Sequence, residues 1–132
     1  MYSKKIKFKK FRKGRLKKFE FKMNKLKFGV LGLKAIESGI IKYHQILSVK
    51  HLILKEMKKK SKIWIRVSPN LSVTSKSIGM RMGKGKGLIS KWVVKINSGA
   101  VLFEVCSAKL NYIMLALKMS KSKLPIKTKI FW

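Results

Sequence analysis

Four carboxylates face thirty-four cationic side chains in this protein, and that imbalance limits what it can fold into. Glu20, Glu37, Glu56 and Glu104 are the acids, Asp is absent, and the formal net charge is +30 over 132 residues. Self-repulsion on this scale disfavours an isolated compact chain, so a strongly anionic partner is expected. Nucleic acid is the natural one, because Lys and Arg gain affinity by displacing counterions condensed on phosphates. Yet 46% of the residues are apolar, enough for one real core, and the length fits one domain.

The charge is not spread evenly. About half of residues 1–27 are Lys or Arg, interleaved with Phe8, Phe11, Phe19 and Phe21, and no period of 3.6 or 2 runs through them. This is a basic N-terminal arm, ordered by what it binds, since aromatics are scarce in segments that stay solvated. Residues 28–132 read as one domain. The apolar run 28–36, with Gly29 and Gly32 inside it, predicts a strand carrying a bend or bulge, and Gly39 breaks the run. Residues 43–59 predict a helix with Ile46, Val49, Ile53 and Met57 on one stripe, widened by Leu47 and Leu54. Lys50 lies inside that stripe and must turn its ammonium outwards.

Alternation returns at 62–67, with Ile63, Ile65 and Val67 on one face and Trp64 and Arg66 on the other, a half-buried strand. A turn at Pro69-Asn70 leads to a short strand over 71–74. Residues 92–96 and 101–106 flank Asn97-Ser98-Gly99 and predict a hairpin. Ser107 can cap a second helix, whose stripe is Leu110, Ile113, Met114 and Leu117. Residues 124–132 alternate again and close the chain as a strand that Pro125 puts near an edge. The expected class is α+β: a mixed or antiparallel sheet packed with two helices as a two-layer sandwich, with the basic arm as an extension.

Between the predicted strands lies a Gly/Lys-rich loop, residues 79–87. It is not a P-loop, since no Ser or Thr follows Lys84 or Lys86, and it lacks the dinucleotide fingerprint. Its glycines let a backbone come close to an anion, and Arg81, Lys84 and Lys86 supply charge. That is what contact with a polynucleotide backbone requires; the bland reading is a solvated connector.

Other chemistry finds little support. Cys106 stands alone, so neither an internal disulfide nor a zinc motif is available. His44 and His51 are seven residues apart on one helix, roughly 10.5 Å along its axis and too far to share a metal. No metal, cofactor or catalytic constellation is expected, and the chain is not read as an enzyme. No apolar run is long enough for a membrane span or a secretory signal. Trp64, Trp92 and Trp132 are read as core residues rather than base-stacking platforms, and without an RRM-type signature recognition should go by shape and backbone.

Several segments together carry a family resemblance: Lys7-Phe8, Lys13-Gly14-Arg15, Gly32-Leu33-Lys34-Ala35, Lys62-Ile63-Trp64-Ile65-Arg66-Val67, Arg81-Met82-Gly83-Lys84-Gly85-Lys86-Gly87 and Lys123-Leu124-Pro125-Ile126-Lys127-Thr128. In this order and spacing they resemble the large-subunit ribosomal protein L sixteen family over nearly the whole chain. The resemblance implies a structural role on large-subunit rRNA, beside other large-subunit proteins, in late subunit assembly and in shaping the tRNA acceptor site, with transient contact to the tRNA. The candidate RNA-binding residues are Lys7, Lys9, Lys10, Arg12, Lys13, Arg15, Lys34, Arg66, Arg81, Lys84, Lys86 and Lys127, with Gly83, Gly85 and Gly87 as the close-backbone positions.

The chain departs from plastid and bacterial members, which resemble it but are Arg-rich at 37–41 and 48–51 and proline-rich after Pro69. Those departures and the lysine bias point to a mitochondrially encoded member, with plastid or bacterial cytoplasm as the alternative. The resemblance begins by Lys7, which on this reading leaves no room for a removable transit peptide. A nucleoid-type architectural DNA-binding protein is the competing function, since charge alone would serve it equally well. A membrane-surface protein fits less well, because the cations do not gather on one amphipathic helix.

Overall fold

The computed structural model describes residues 10–16, 19–22, 24–58, 61–107 and 110–132. Nine elements follow in chain order: β1 (Leu31–Ala35), β2 (Gly39–Lys42), α1 (Tyr43–Glu56), β3 (Lys62–Ile65), β4 (Leu71–Ser75), β5 (Leu88–Ile96), β6 (Val101–Cys106), α2 (Leu110–Lys121) and β7 (Thr128–Phe131). The fold is α+β, as expected, but it holds two antiparallel sheets where one was expected. The larger has the order β3-β6-β1-β7 and the smaller the order β2-β5-β4.

The helices pack on each other; α2 lies against β1 and β7, while α1 meets β2 and β5. Leu33, Phe103, Val105 and Ile65 from the larger sheet join Ile46, Val49 and Ile53 of α1 and Ile113 and Leu117 of α2 in one core. The predicted stripe of α1 is buried at Ile46, Val49, Ile53 and Met57. Gln45 closes its first turn by accepting the Lys42 N–H at 2.9 Å. On α2 the buried set is Ile113, Ala116, Leu117 and Ser120, so the helix is turned from the predicted stripe and Leu110 is exposed. The core admits Ser120 because its hydroxyl donates to the Ala116 carbonyl at 2.7 Å.

The predicted hairpin over 92–106 does not form. Its two strands lie in different sheets: β5 pairs with β2 and β4, and β6 with β1 and β3. Val101–Val105 are all buried, and such a strand needs a neighbour on each side; β1 and β3 take both places. The turn between the strands keeps one bond of its own, Ala100 N–H to the Asn97 carbonyl at 3.2 Å, and otherwise bonds outwards. Gly99 N–H donates to the Ala35 carbonyl at 2.8 Å, Ala35 N–H to the Ala100 carbonyl at 2.9 Å and Ser98 N–H to Ser38 Oγ at 2.9 Å. Where Gly39 was read as a break, β2 begins, too short to show a period. The predicted irregularity in the first strand is present as a register shift between Leu33 and Lys34, and β7 is an edge strand.

The face of the larger sheet away from the helices is covered by the end of the arm. Trp64, Glu104 and Gly32 lie side by side there across β3, β6 and β1. Glu104 is fully buried, and its Oε2 accepts three successive backbone N–H groups: Lys27 at 3.1 Å, Phe28 at 2.6 Å and Gly29 at 2.9 Å. Its Oε1 accepts from Arg66 Nη1 at 2.6 Å. The Phe28 ring stacks on Trp64 at 6.0 Å between centroids, and the Arg66 guanidinium lies 5.2 Å from the same ring. A Cβ on Gly29 would come within 2.8 Å of the Val105 nitrogen, so only glycine lets the backbone approach β6 this closely.

Burial by itself would push the Glu104 carboxyl up. The three N–H groups, with the Arg66 charge, outweigh it and hold the carboxyl below the usual range. A depressed folded-state value means that this stabilisation is present above the unfolded value and is lost as pH falls through the folded one. Glu104→Gln should therefore cost about 3–5 kcal/mol, as for a buried pair that loses one member. Urea unfolding in roughly 0.5 M salt, where charge repulsion is screened, measures it. The native chain should also lose more stability than the variant between pH 6 and pH 3; parallel pH profiles would contradict this account.

Candidate nucleic-acid interface

Two segments rich in cations come together at one place. Lys10 Nζ donates to the Lys86 carbonyl at 3.0 Å, and Lys86 Nζ donates to the Phe11 carbonyl at 2.7 Å, so arm and glycine loop hold each other. Further along the arm, a Cβ on Gly14 would lie 3.1 Å from Lys95 Nζ on β5. At Phe19–Glu20 the arm meets the turn after β5: Phe19 bridges to Ser98, and Glu20 N–H donates to the Ser98 carbonyl at 2.9 Å. The Glu20 carboxylate accepts from Asn97 Nδ2 at 3.0 Å. The described arm is thus docked on the chain at three places: the loop, the turn and the Glu104 clip.

The loop between β4 and β5 is a shaped protrusion. Lys76 Nζ reaches back to the Gly83 carbonyl, and Met80 N–H donates to the Ser77 carbonyl at 3.3 Å. Gly83 and Gly85 have φ of +94° and +79°, and Lys84 between them is also left-handed at +51°. A Cβ at Gly83 or Gly85 would meet nothing within 4 Å. These two glycines are therefore needed for the path of the backbone and not for packing inside the chain. Gly87 differs, since a Cβ there would strike the Ser75 carbonyl.

Among the candidate residues, Lys10, Arg12, Lys13 and Arg15 of the arm and Arg81, Lys84 and Lys86 of the loop are all exposed. Lys7 and Lys9 lie outside the described residues. Lys34 is half-buried, donating to the Asn24 carbonyl at 3.0 Å with its ammonium 5.2 Å from the Phe131 ring. Lys127 is exposed at 3.0 Å from Glu37. Arg66 stands apart: only 15% of its side chain is accessible, and its guanidinium is engaged by Glu104 and Phe28. That engagement leaves it little to offer a phosphate. The sequence placed it outward on a half-buried strand without showing that a buried carboxylate waited on the next one.

Lys76 and Lys95, which the sequence reading did not single out, lie beside the loop and the arm, Lys76 on the Gly83 carbonyl and Lys95 next to Gly14. Lys91 shares the β5 strand with Lys95. Lys91 and Lys95 lie four residues apart in β5, and that spacing on a strand was the available signal. Trp132, read as a core residue, is 84% exposed. His44 and His51 are both exposed, and among the described residues no group of three potential metal ligands gathers. No described helix is long and apolar enough to cross a membrane.

The surface is thus a shape with charge, built from an arm and a protruding loop. Known proteins match over nearly the whole chain. The family described as Ribosomal protein L16p/L10e matches residues 3–131. Large ribosomal subunit protein uL16c of Cyanidium caldarium is 41% identical over 126 residues, covering 96% of this chain and 90% of its own. Large ribosomal subunit protein uL16 of Acidiphilium cryptum is 40% identical over 127 residues, covering 96% and 92%, and that of Hyphomonas neptunium is 44% identical over 105 residues, covering 80% and 76%.

Charge contacts of this kind show in the salt dependence of binding. Lys84→Gln should lower the slope of log affinity against log salt on a large-subunit rRNA fragment by about one and leave sequence preference unchanged. Arg66→Gln should leave the slope unchanged while lowering stability. A slope change for Arg66→Gln and none for Lys84→Gln would show that the surface has been assigned to the wrong side of the molecule.

Proposed function

The chain belongs to the ribosomal protein L16p/L10e family, and on that premise we propose that its arm and glycine loop grip large-subunit rRNA by the phosphates, beside the site that receives acceptor-site tRNA. It is a structural component of the large ribosomal subunit. The competing nucleoid role has no support from these relatives. What carries the proposal is the mutual hold of Lys10 and Phe11 with Lys86, which makes one cationic surface from segments 76 residues apart in sequence.

Lys10, Arg12, Lys13 and Arg15 lie along the phosphates, and Arg81, Lys84 and Lys86 carry the contact to the loop tip. Lys7 and Lys9, outside the described residues, are assigned to the same phosphate contact on the sequence alone. Lys34 and Lys127 sit at the margin, and Arg66 serves by fixing the root of the arm. Phosphate contacts position the protein without reading sequence. Arg81 is the planar fork of the set and is suited to bridge two phosphates or stack on a base. A narrow loop at Gly83–Gly85 enters a crowded RNA crevice, brings the main chain near the tRNA and supports late subunit assembly. The lysine bias favours a mitochondrial ribosome as its place.

Gly85→Val should impair subunit incorporation and acceptor-site tRNA binding more than Lys84→Gln does. Valine at a φ of +79° is strained wherever the loop lies, whereas Lys84→Gln removes one screened charge. Sucrose-gradient co-sedimentation of each variant from mitochondrial extracts, with tRNA binding on the isolated subunits, measures both. Equal, near-native behaviour of the two variants would remove the loop from the function. Recovery with DNA or with membranes, and not with large subunits, would overturn the location.

A further inference from the structure

The loop carries apolar side chains that none of the described residues covers. Ile78 and Met82 are fully exposed and Met80 is 58% exposed, alternating with Gly79, Arg81 and Gly83. Burying such a side chain is worth about 1.5–3 kcal/mol, so three of them presented together hold considerable binding free energy. The cations Arg81, Lys84 and Lys86 stand in the same segment. A protein partner with an apolar patch would leave these three charges facing it without counter-charge. RNA offers both features within one nucleotide: an apolar base face and, at its margin, a phosphate.

We propose that Ile78, Met80 and Met82 form an apolar wedge that packs against an unstacked base, at a bulge or kinked step of rRNA, while the neighbouring cations hold the flanking phosphates. The wedge rests on the rRNA reading above and adds to it a contact that selects RNA shape. Apolar side chains inserted at base steps are a known means of holding distorted nucleic acid, and bases outside a duplex are where RNA becomes readable. Methionine suits the task because its unbranched thioether adapts to an irregular gap. Left-handed backbone at Gly83, Lys84 and Gly85 follows directly after Met82.

The wedge and the phosphate grip differ in their response to salt, and that separates them. Binding of the full-length chain is measured over a salt series to two RNA probes, a hairpin with an unpaired bulge and a fully paired hairpin of the same length. The double variant Met80→Ser/Met82→Ser should bind the bulged hairpin about tenfold more weakly at every salt concentration, with the slope unchanged, and the paired hairpin within about twofold of native. Met80→Leu/Met82→Leu should restore the bulge preference, since it keeps the apolar surface. Lys84→Gln/Lys86→Gln should instead flatten the slope on both probes. Equal weakening on both probes by the serine variant, or no weakening on either, overturns the wedge. If the lysine variant still flattens the slope in that case, the phosphate grip stands; if it does not, the rRNA reading of the loop falls with the wedge.

Discussion

A carboxylate with no access to water holds this molecule's two parts together. Glu104 sits in the middle of the larger sheet, where its burial would be prohibitive without full compensation. Compensation comes from opposite directions: Arg66 from β3 on one oxygen, and three consecutive N–H groups from the arm on the other. Residues 27–29 are therefore bound to β6 through their backbone, and Gly29 and Phe28 fit the space that this leaves. The arm leaves the domain in a set direction, and from that direction it reaches the turn at Ser98 and the loop at Lys86.

The rarity of acids gives this arrangement its meaning. Of the four glutamates, Glu104 clips the arm, Glu20 holds the Asn97 turn, and Glu37 meets Lys127 near the start of β7. Acids here shape the chain and do little to lower its charge. Some thirty uncompensated cations then remain to repel one another, and RNA phosphates supply what the chain does not contain. Stability of the fold and binding to rRNA are linked in consequence: whatever binds the folded form stabilises it by an amount that grows with the logarithm of its concentration over its dissociation constant.

Much of the domain was legible because its signals are local. The stripe Ile46–Val49–Ile53 and the alternation of 62–67 are each written in one short window. The first formed, and the second formed as strand over 62–65, with Phe28 covering the face read as open. What failed depends on pairing across distance. Asn97-Ser98-Gly99 has the composition of a hairpin turn, yet the Gly99 and Ser98 N–H groups donate to Ala35 and Ser38 and the Ser98 carbonyl accepts from Glu20, because β6 already has two partners. The strand β2 is four residues long and exists because β5 lies beside it. Leu110 has the spacing of a core residue, but the way α2 faces α1 and β1 leaves it outside.

The cations of the proposed interface were legible as charge and composition, and Arg81, Lys84 and Lys86 are exposed. Arg66 shows where that reasoning stops, since an arginine on a strand looks the same whether it awaits a phosphate or an inner carboxylate. Met80 and Met82 lie in the stretch read as a loop, where only the glycines and cations were singled out. A map of the large ribosomal subunit containing this chain, at side-chain detail, tests the account most directly. It should show rRNA phosphates within hydrogen-bonding distance of Lys10, Arg12, Lys13, Lys84 and Lys86, with Arg66 still on Glu104 and no phosphate near it. An arm and loop turned to solvent or to protein, or Arg66 released onto rRNA, would contradict it.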